Sequence, residues 1–203
     1  MTETKRKGAR STKDIPADIL QLLNTGQIET ANLVEWLAVD QKLLLENLLL
    51  QNKRTDYLKP VLEKIDRLKK QTVNTINEAI GTGILEQTEK NNDKEFLELI
   101  SAHPADVVRC WATYTIGKNK NLDIVGTLEQ ILPFSADKHF GVREISWLAV
   151  RSKITLNLTK SIEILSGWTI HPDENIRRFT TEATRPRGVW CEHIEELKQN
   201  PEI

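Results

Sequence analysis

Apolar side chains recur at every third or fourth position along most of the chain, which is the spacing of one face of an α-helix. Strict alternation of apolar and polar residues, the pattern of a half-buried strand, is hard to find over windows of strand length. A first helix is predicted after Asp14-Ile15-Pro16, ending at Asn24-Thr25-Gly26. Two short helices are predicted over about residues 30–39 and 40–50. The pattern therefore predicts an all-α protein.

A longer helical pattern runs from Tyr57 to Ile80, where leucine, isoleucine and valine keep the helical period. The segment Gly81-Thr82-Gly83 follows it directly. Because glycine commonly ends a helix, we expect this run to be the longest helix and to stop there.

The second half contains an internal repeat of 34 residues. Its three copies align without gaps over residues 103–109, 137–143 and 171–177, and each ends on an arginine: Arg109, Arg143 and Arg177. Each copy is a polar turn followed by Val-Arg or Ile-Arg and then a small or apolar stretch. Amphipathic partner segments lie between the copies, over residues 122–132 and 156–168. Such a unit cannot bury its apolar face alone, which predicts HEAT-like helical pairs stacked into a right-handed α-α superhelix, a solenoid.

We expect residues 14–203 to form a single HEAT-like repeat domain, with an N-terminal helical cap over 14–90 and clear repeats over 91–203. Residues 1–13 hold five basic residues and one acidic residue without apolar periodicity, which predicts a mobile basic tail; a DNA-contacting arm is the alternative. Asp137, ahead of the second repeat helix, is predicted to be its cap.

Composition excludes several classes of protein. Apolar residues make up 39% of the chain and charged residues 28%, which is typical of a globular protein and not of a disordered or fibrous one. With 28 basic and 29 acidic residues, the chain is not a globally basic nucleic-acid binder. No window approaches a membrane span and the N-terminus has no apolar signal region, so we expect a cytoplasmic protein with Cys110 and Cys191 reduced.

Charge is unevenly distributed along the chain. Residues 14–136 hold 13 basic and 18 acidic side chains, whereas residues 137–190 hold 9 basic and 6 acidic ones. Arg178, Arg185 and Arg187 could follow one edge of a helix and the next loop, which suits contact with successive phosphates. Arginine is also the side chain that binds phosphate through two parallel hydrogen bonds. For the repeat arginines the competing interpretation is an internal ladder with acidic groups of neighbouring repeats.

Several segments resemble the HEAT-like-repeat proteins of the DNA alkylation repair family. The resemblance lies in His139-Phe140-Gly141-Val142-Arg143-Glu144, in residues 171–179, in Glu182 through Arg185-Pro186-Arg187 to Cys191, and in the N-terminal residues 14–16 and 33–40. It implies an α-solenoid with a concave basic surface that grips duplex DNA. In active members it also implies excision of N3- or N7-alkylated purines. His139 stands where some glycosylase members carry a carboxylate, which argues against catalysis through that position.

A glycosylase acting on a cationic purine needs a carboxylate to stabilise the developing sugar cation and aromatic faces to hold the nucleoside. Glu144 and Trp147, three residues apart on one predicted helix, are the first candidates for catalysis, and Glu182, which with Trp190 brackets the Arg185-Pro186-Arg187 segment, is the second. The alternative role of Trp147, as of Trp111 and Trp168, is packing in the core. The alternative role of Glu144 is that of a surface carboxylate or of a partner in the ladder. The predicted DNA-binding residues are Lys138, Arg143, Arg177, Arg178, Arg185 and Arg187.

The motifs of other enzyme classes are absent from the sequence. The four histidines are scattered, no Cys/His cluster has metal-ligand spacing, and there is no glycine-rich phosphate loop, so we expect neither a metal nor a cofactor. Together with the resemblance, the sequence favours a monomeric DNA-binding protein of the alkylation repair type, and the resemblance implies alkylpurine excision as its activity. A catalytically inactive reader of bent, branched or damaged DNA and a protein-binding HEAT scaffold are the alternatives.

Overall fold

A computed structural model describes residues 6–200 of the chain. This part contains twelve α-helices, two short 3-10 turns and no β-strand, which confirms the all-α prediction. The helices are α1 (Ala17–Asn24), α2 (Leu33–Ala38), α3 (Gln41–Gln51), α4 (Leu58–Asp66), α5 (Val73–Asn91), α6 (Lys94–Ser101), α7 (Asp106–Lys118), α8 (Ile124–Ser135), α9 (Phe140–Leu156), α10 (Leu158–Trp168), α11 (Glu174–Thr184) and α12 (Glu195–Gln199). No helix in the described part is long and apolar enough to cross a membrane.

The chain divides into two compact units, Met1–Ala112 and Thr113–Ile203. In the first unit α3 packs against α1, α4 and α5, and its four buried leucines supply much of the core: Leu44, Leu45, Leu48 and Leu49. Polar side chains cap its helices, among them Asn32 ahead of α2 and Asp40 ahead of α3. The three short N-terminal helices are where the sequence predicted them.

The prediction of one long helix over residues 57–80 is wrong. The segment is split into α4 and α5, because the polar stretch between them leads into a capping box at Thr72 and Thr75 that starts a new helix. The expected stop at Gly81-Thr82-Gly83 is wrong as well, since α5 continues to Asn91. A Cβ on Gly83 would lie 2.9 Å from the Cγ2 of Val61, so this glycine serves the close approach of α4 and α5.

Residues 6–13, the part of the predicted basic tail that the structure describes, make specific contacts. Arg6 binds the carboxylate of Glu35 through two contacts of 2.6 Å, and the Asn32 side chain donates to the carbonyl of Ala9. Burial alone would raise the pKa of Glu35, but its hydrogen bonds with Arg6 and with backbone amides hold that pKa below its usual value. The Arg6 guanidinium is therefore committed to a protein carboxylate.

In the second unit α8, α9, α10 and α11 pack against one another. Leu165, Ile176 and Phe179 are buried in its core, and α12 adds Leu197 to a small cluster with Leu158 and Ile194. Both cysteines have free thiols.

The predicted 34-residue spacing recurs in the helix boundaries. The helices α7, α9 and α11 begin at residues 106, 140 and 174, and each follows one of the three polar turns. The right-handed superhelix stays a prediction.

Candidate nucleic-acid interface

The three repeat turns share the same hydrogen bonds. The first residue of each turn accepts a hydrogen bond from the backbone N–H two positions later; these residues are His103, Asp137 and His171. The arginine six positions after it then donates to the carbonyl of that first residue, at 2.8 Å for Arg109, 2.7 Å for Arg143 and 2.6 Å for Arg177. Each repeat arginine thus locks its own turn onto the helix that follows it.

These hydrogen bonds from the repeat arginines to backbone carbonyls differ from the ladder of acidic partners that was the alternative to DNA contact. In the first copy a carboxylate also takes part, since that of Glu29 lies 2.6 Å from Arg109. The hydrogen bond from the turn N–H explains why the first position is either histidine or aspartate, because both side chains can accept it. The cap of α9 is His139, whose Nδ1 accepts from Gly141, so the prediction of Asp137 as the cap is wrong by two residues.

Four predicted site residues lie together at one edge of the second unit, between α9 and α11. Arg178 lies between two carboxylates, 3.2 Å from Glu144 and 3.6 Å from Glu182. Arg185 approaches the second carboxylate, that of Glu182, at 3.0 Å. We call Glu144, Arg178, Glu182 and Arg185 the α9–α11 cluster; it alternates in charge and joins residues from two repeats.

A small cavity of about 10 Å³ lies beneath this cluster. Arg143, Trp147 and Glu182 are among its lining residues. The Nε of Arg143 and the Nε1 of Trp147 are buried and have no hydrogen-bond partner among the described residues. The volume is about that of one water molecule, so the cavity is too small to hold a nucleobase.

The tryptophans predicted as base platforms or core residues differ in exposure. Trp111 is fully buried and Trp147 is only 5% exposed, so the indole ring of Trp147 is covered by its own fold. Trp168 packs against Phe179, with ring centroids 5.8 Å apart. Trp190, by contrast, is 72% exposed. Stacking of a base on Trp147 would require α9 and α11 to separate, whereas Trp190 is accessible as it stands.

The loop that follows α11 carries Arg185, Arg187 and Trp190, and a buried arginine anchors it. Arg151 of α9 is 4% exposed and donates hydrogen bonds to four backbone carbonyls, those of residues 182, 183, 185 and 192. Loss of hydration lowers the pKa of Arg151 from its ordinary value, and the nearby Cys191 partly opposes that shift. The guanidinium therefore caps the end of α11 and holds both ends of the loop.

Sequence analysis did not single out Arg151. It lies four residues after Trp147 and three before Ile154, on the apolar face of α9. That placement was the available signal, because an arginine on a buried face must find many acceptors.

The remaining predicted DNA-binding residues are on the surface or at its edge. Lys138 and Arg177 are exposed, Arg143 is half-buried, and Arg187 is exposed in the loop after α11. Among residues 6–200, no three His, Cys, Asp or Glu side chains gather in a way that could hold a metal ion.

A larger groove of about 360 Å³ lies elsewhere in the second unit, next to α10, α11 and α12. Aliphatic and hydroxyl side chains line it, and none of the predicted site residues does: Ile162, Leu165, Ser166, Thr169, Thr180, Thr181, Thr184, Pro186 and Leu197. It offers no ionised group, so we place the candidate chemistry at the α9–α11 cluster and not at this groove.

Comparison with known proteins finds similarity over a short segment of the chain. No protein-family model matches the chain, and no solved structure matches it. A stretch of 56 residues is 39% identical to YhaZ, an uncharacterized protein of Bacillus subtilis (strain 168). That stretch is 28% of this chain and 16% of YhaZ, so the similarity spans about a sixth of the relative.

Proposed function

We propose that the protein binds duplex DNA as a HEAT-like-repeat protein of the DNA alkylation repair type. The observation that carries the proposal is the α9–α11 cluster, in which arginines of the proposed phosphate track lie beside both candidate carboxylates. Arg187 is exposed in the loop two residues after Arg185, and we assign it to the same contact surface. The proposed contact surface is thus the edge formed by Arg178, Arg185 and Arg187.

The ion pairs of the cluster are compatible with DNA binding. The side chain of Arg178 is 53% exposed and that of Arg185 is 49% exposed, and ion pairs at such positions contribute little to stability. A phosphate can therefore take the place of Glu144 as a partner of Arg178, because the Glu144 side chain is 38% exposed and can turn to water. Glu182 is only 14% exposed and stays beside both guanidiniums.

Replacing Arg178, Arg185 and Arg187 together by alanine is expected to weaken duplex binding at low salt by roughly one to two orders of magnitude. Because each lost phosphate contact removes about 0.9 from the slope of log K against log salt, the slope should fall by about 2.7. Fluorescence anisotropy of a labelled duplex over a salt series measures both quantities.

The matched control replaces Lys59, Lys69 and Lys70, which are exposed lysines of the first unit. It removes the same charge, so it should leave the salt slope close to the wild-type value. Equal losses of affinity in the two triple variants would exclude the edge as the binding surface.

Excision of N3- or N7-alkylated purines is the second candidate function. The position of Glu144 and Glu182 beside the proposed DNA edge favours it, because a carboxylate there could stabilise a developing sugar cation. The covered indole ring of Trp147 favours the alternative, a reader that binds damaged or bent DNA without chemistry. Neither activity would need a metal or a cofactor.

If the protein excises alkylated bases, Glu144→Gln should reduce release of free base at least about tenfold while duplex affinity stays similar or rises. The rise has a physical cause, since the neutral amide no longer repels phosphate or neutralises Arg178. Base release from duplexes carrying N7- and N3-methylpurines, with binding recorded in parallel, measures this.

Glu182→Gln tests the second carboxylate, and Glu163→Gln, an exposed glutamate of α10, is the control. Wild-type binding without release would support the inactive reader. Absence of both DNA binding and base release would support the protein-binding scaffold.

A further inference from the structure

The loop after α11 exposes two large apolar side chains side by side. Val189 is 86% exposed and Trp190 is 72% exposed. Adjacent exposed apolar groups of this size are uncommon on a protein surface unless they contact something else. The loop is therefore a candidate interaction site.

The base of this loop is fixed, unlike that of a typical exposed loop. Arg151 binds the carbonyls of Arg185 and Glu192, which are the two ends of the loop, and Ile194 N–H donates to the carbonyl of Pro186 at 3.0 Å. At the tip, a Cβ on Gly188 would overlap the Sγ of Cys191, so the turn is tightly closed. The exposed side chains are thus presented by a closed loop that needs little ordering on binding.

Two arginines precede the apolar pair in the same loop. Arg185 and Arg187 lie on either side of Pro186, and both are exposed. An exposed indole beside cationic side chains matches a nucleic acid, since the base offers an aromatic face and the backbone offers phosphates. The exposed cations beside the indole favour a polyanion with aromatic bases over a purely apolar protein surface.

We propose that the loop over residues 185–192 is a wedge that stacks Trp190 on a base at an interruption of the DNA duplex, such as an abasic site. An intact duplex offers no free base face, because its bases are stacked on each other. At an interruption the neighbouring base is already partly unstacked, so the indole gains a partner at low cost. This inference rests on the proposed DNA binding and specifies the DNA structure that the site prefers.

The test compares the affinity of the full chain for an intact duplex and for the same duplex with one abasic site. Wild-type protein is expected to prefer the interrupted duplex by about tenfold, the size of one base–aromatic stacking contact. Trp190→Ala should reduce that preference to about one while affinity for the intact duplex changes less than about twofold, and Trp190→Phe should retain part of it. When 2-aminopurine is placed next to the abasic site, binding of wild-type protein should change the fluorescence of the 2-aminopurine. Binding of Trp190→Ala should leave that fluorescence unchanged.

Leu156→Ala is the control, since Leu156 is an equally exposed apolar side chain at the end of α9. Its preference for the interrupted duplex should equal that of the wild type. If wild-type protein binds DNA but Trp190→Ala keeps the full preference, the wedge is refuted and the proposed function stands. If wild-type protein binds neither duplex at low salt, the proposed function and the wedge both fall.

Discussion

Replacing Arg151 by methionine is expected to lower the free energy of unfolding of the second unit by about 3 kcal/mol. Methionine fills a similar volume but has no donor, so the carbonyls of residues 182, 183, 185 and 192 lose a common partner. Carbonyls that reach water recover part of the loss, while those that stay buried bear the full penalty. Urea unfolding followed by circular dichroism measures the change.

The effect should also be local. Because Arg151 ties the loop to the end of α11, its loss should loosen the loop and the contact of Ile194 and Leu197 with Leu158. Trypsin should then cleave faster after Arg187, since the bond after Arg185 precedes a proline and resists trypsin. Hydrogen exchange should accelerate over residues 185–197 before it does in α8.

Arg67→Met is the control, since Arg67 is an exposed arginine whose ion pair with Glu63 is 3.5 Å long. We expect it to change stability by less than about 0.5 kcal/mol. Arg151→Lys should lie between the two, because lysine keeps the charge but cannot fork between carbonyls. An Arg151→Met protein as stable as Arg67→Met would mean that other contacts hold the loop.

The repeat was the part of the fold that the sequence predicted best. The turns around His103, Asp137 and His171 carry side chains that accept the same backbone N–H, so their chemistry is local and visible in the residues themselves. The arginine six positions on completes the same local unit. Features set within one turn of chain could therefore be predicted without knowledge of the fold.

The candidate site was predicted less completely, because it depends on contacts between helices. Arg178 was expected to face phosphates, and its pairing with Glu144, 34 residues earlier, depends on how α9 packs against α11. The burial of Arg151 depends on the path of the loop after α11, which no short motif specifies. The exposure of Trp190 was not predicted either, since it depends on the path of the same loop.

Glycines were misinterpreted for the same reason. Gly81 and Gly83 predicted a helix end, yet both lie inside α5, and the packing of α4 requires the small residue at position 83. Local propensity penalises glycine in a helix by about 1 kcal/mol, and a close helix contact outweighs that penalty. Sequence alone does not reveal which of the two roles a glycine has.

Gly117 and Arg151 occupy the same position in successive repeats but set different distances between neighbouring helices. Gly117 and Arg151 are 34 residues apart, and each faces a carbonyl 32 residues further on, that of Ala149 and that of Ala183. At Gly117 the backbones of α7 and α9 are in contact. At Arg151 a whole arginine side chain fits between α9 and α11, so the backbones are further apart there. The wider gap at Arg151 is what allows the loop carbonyls to converge on one guanidinium.

Gly117→Ala is therefore expected to destabilise the second unit by about 3 kcal/mol, although alanine is the better helix former. The new Cβ would overlap the carbonyl oxygen of Ala149 and lie 2.7 Å from its carbonyl carbon. These are backbone atoms of α9, so no side-chain rotation can relieve the overlap and the helices must move apart. Loss of the local packing of Gly117 against Ala149 and Val150 follows from that movement.

Gly167→Ala in α10 is the matched substitution, because a Cβ there meets nothing within 4 Å. Removing a flexible glycine from a helix without a clash should raise stability by about 0.5–1 kcal/mol. The same chemical change thus has opposite expected signs at two helical positions of one unit, and urea unfolding of both variants measures the difference. Equal stabilities would show that α7 and α9 do not approach each other at Gly117, and the contrast with the wider junction at Arg151 would then be lost.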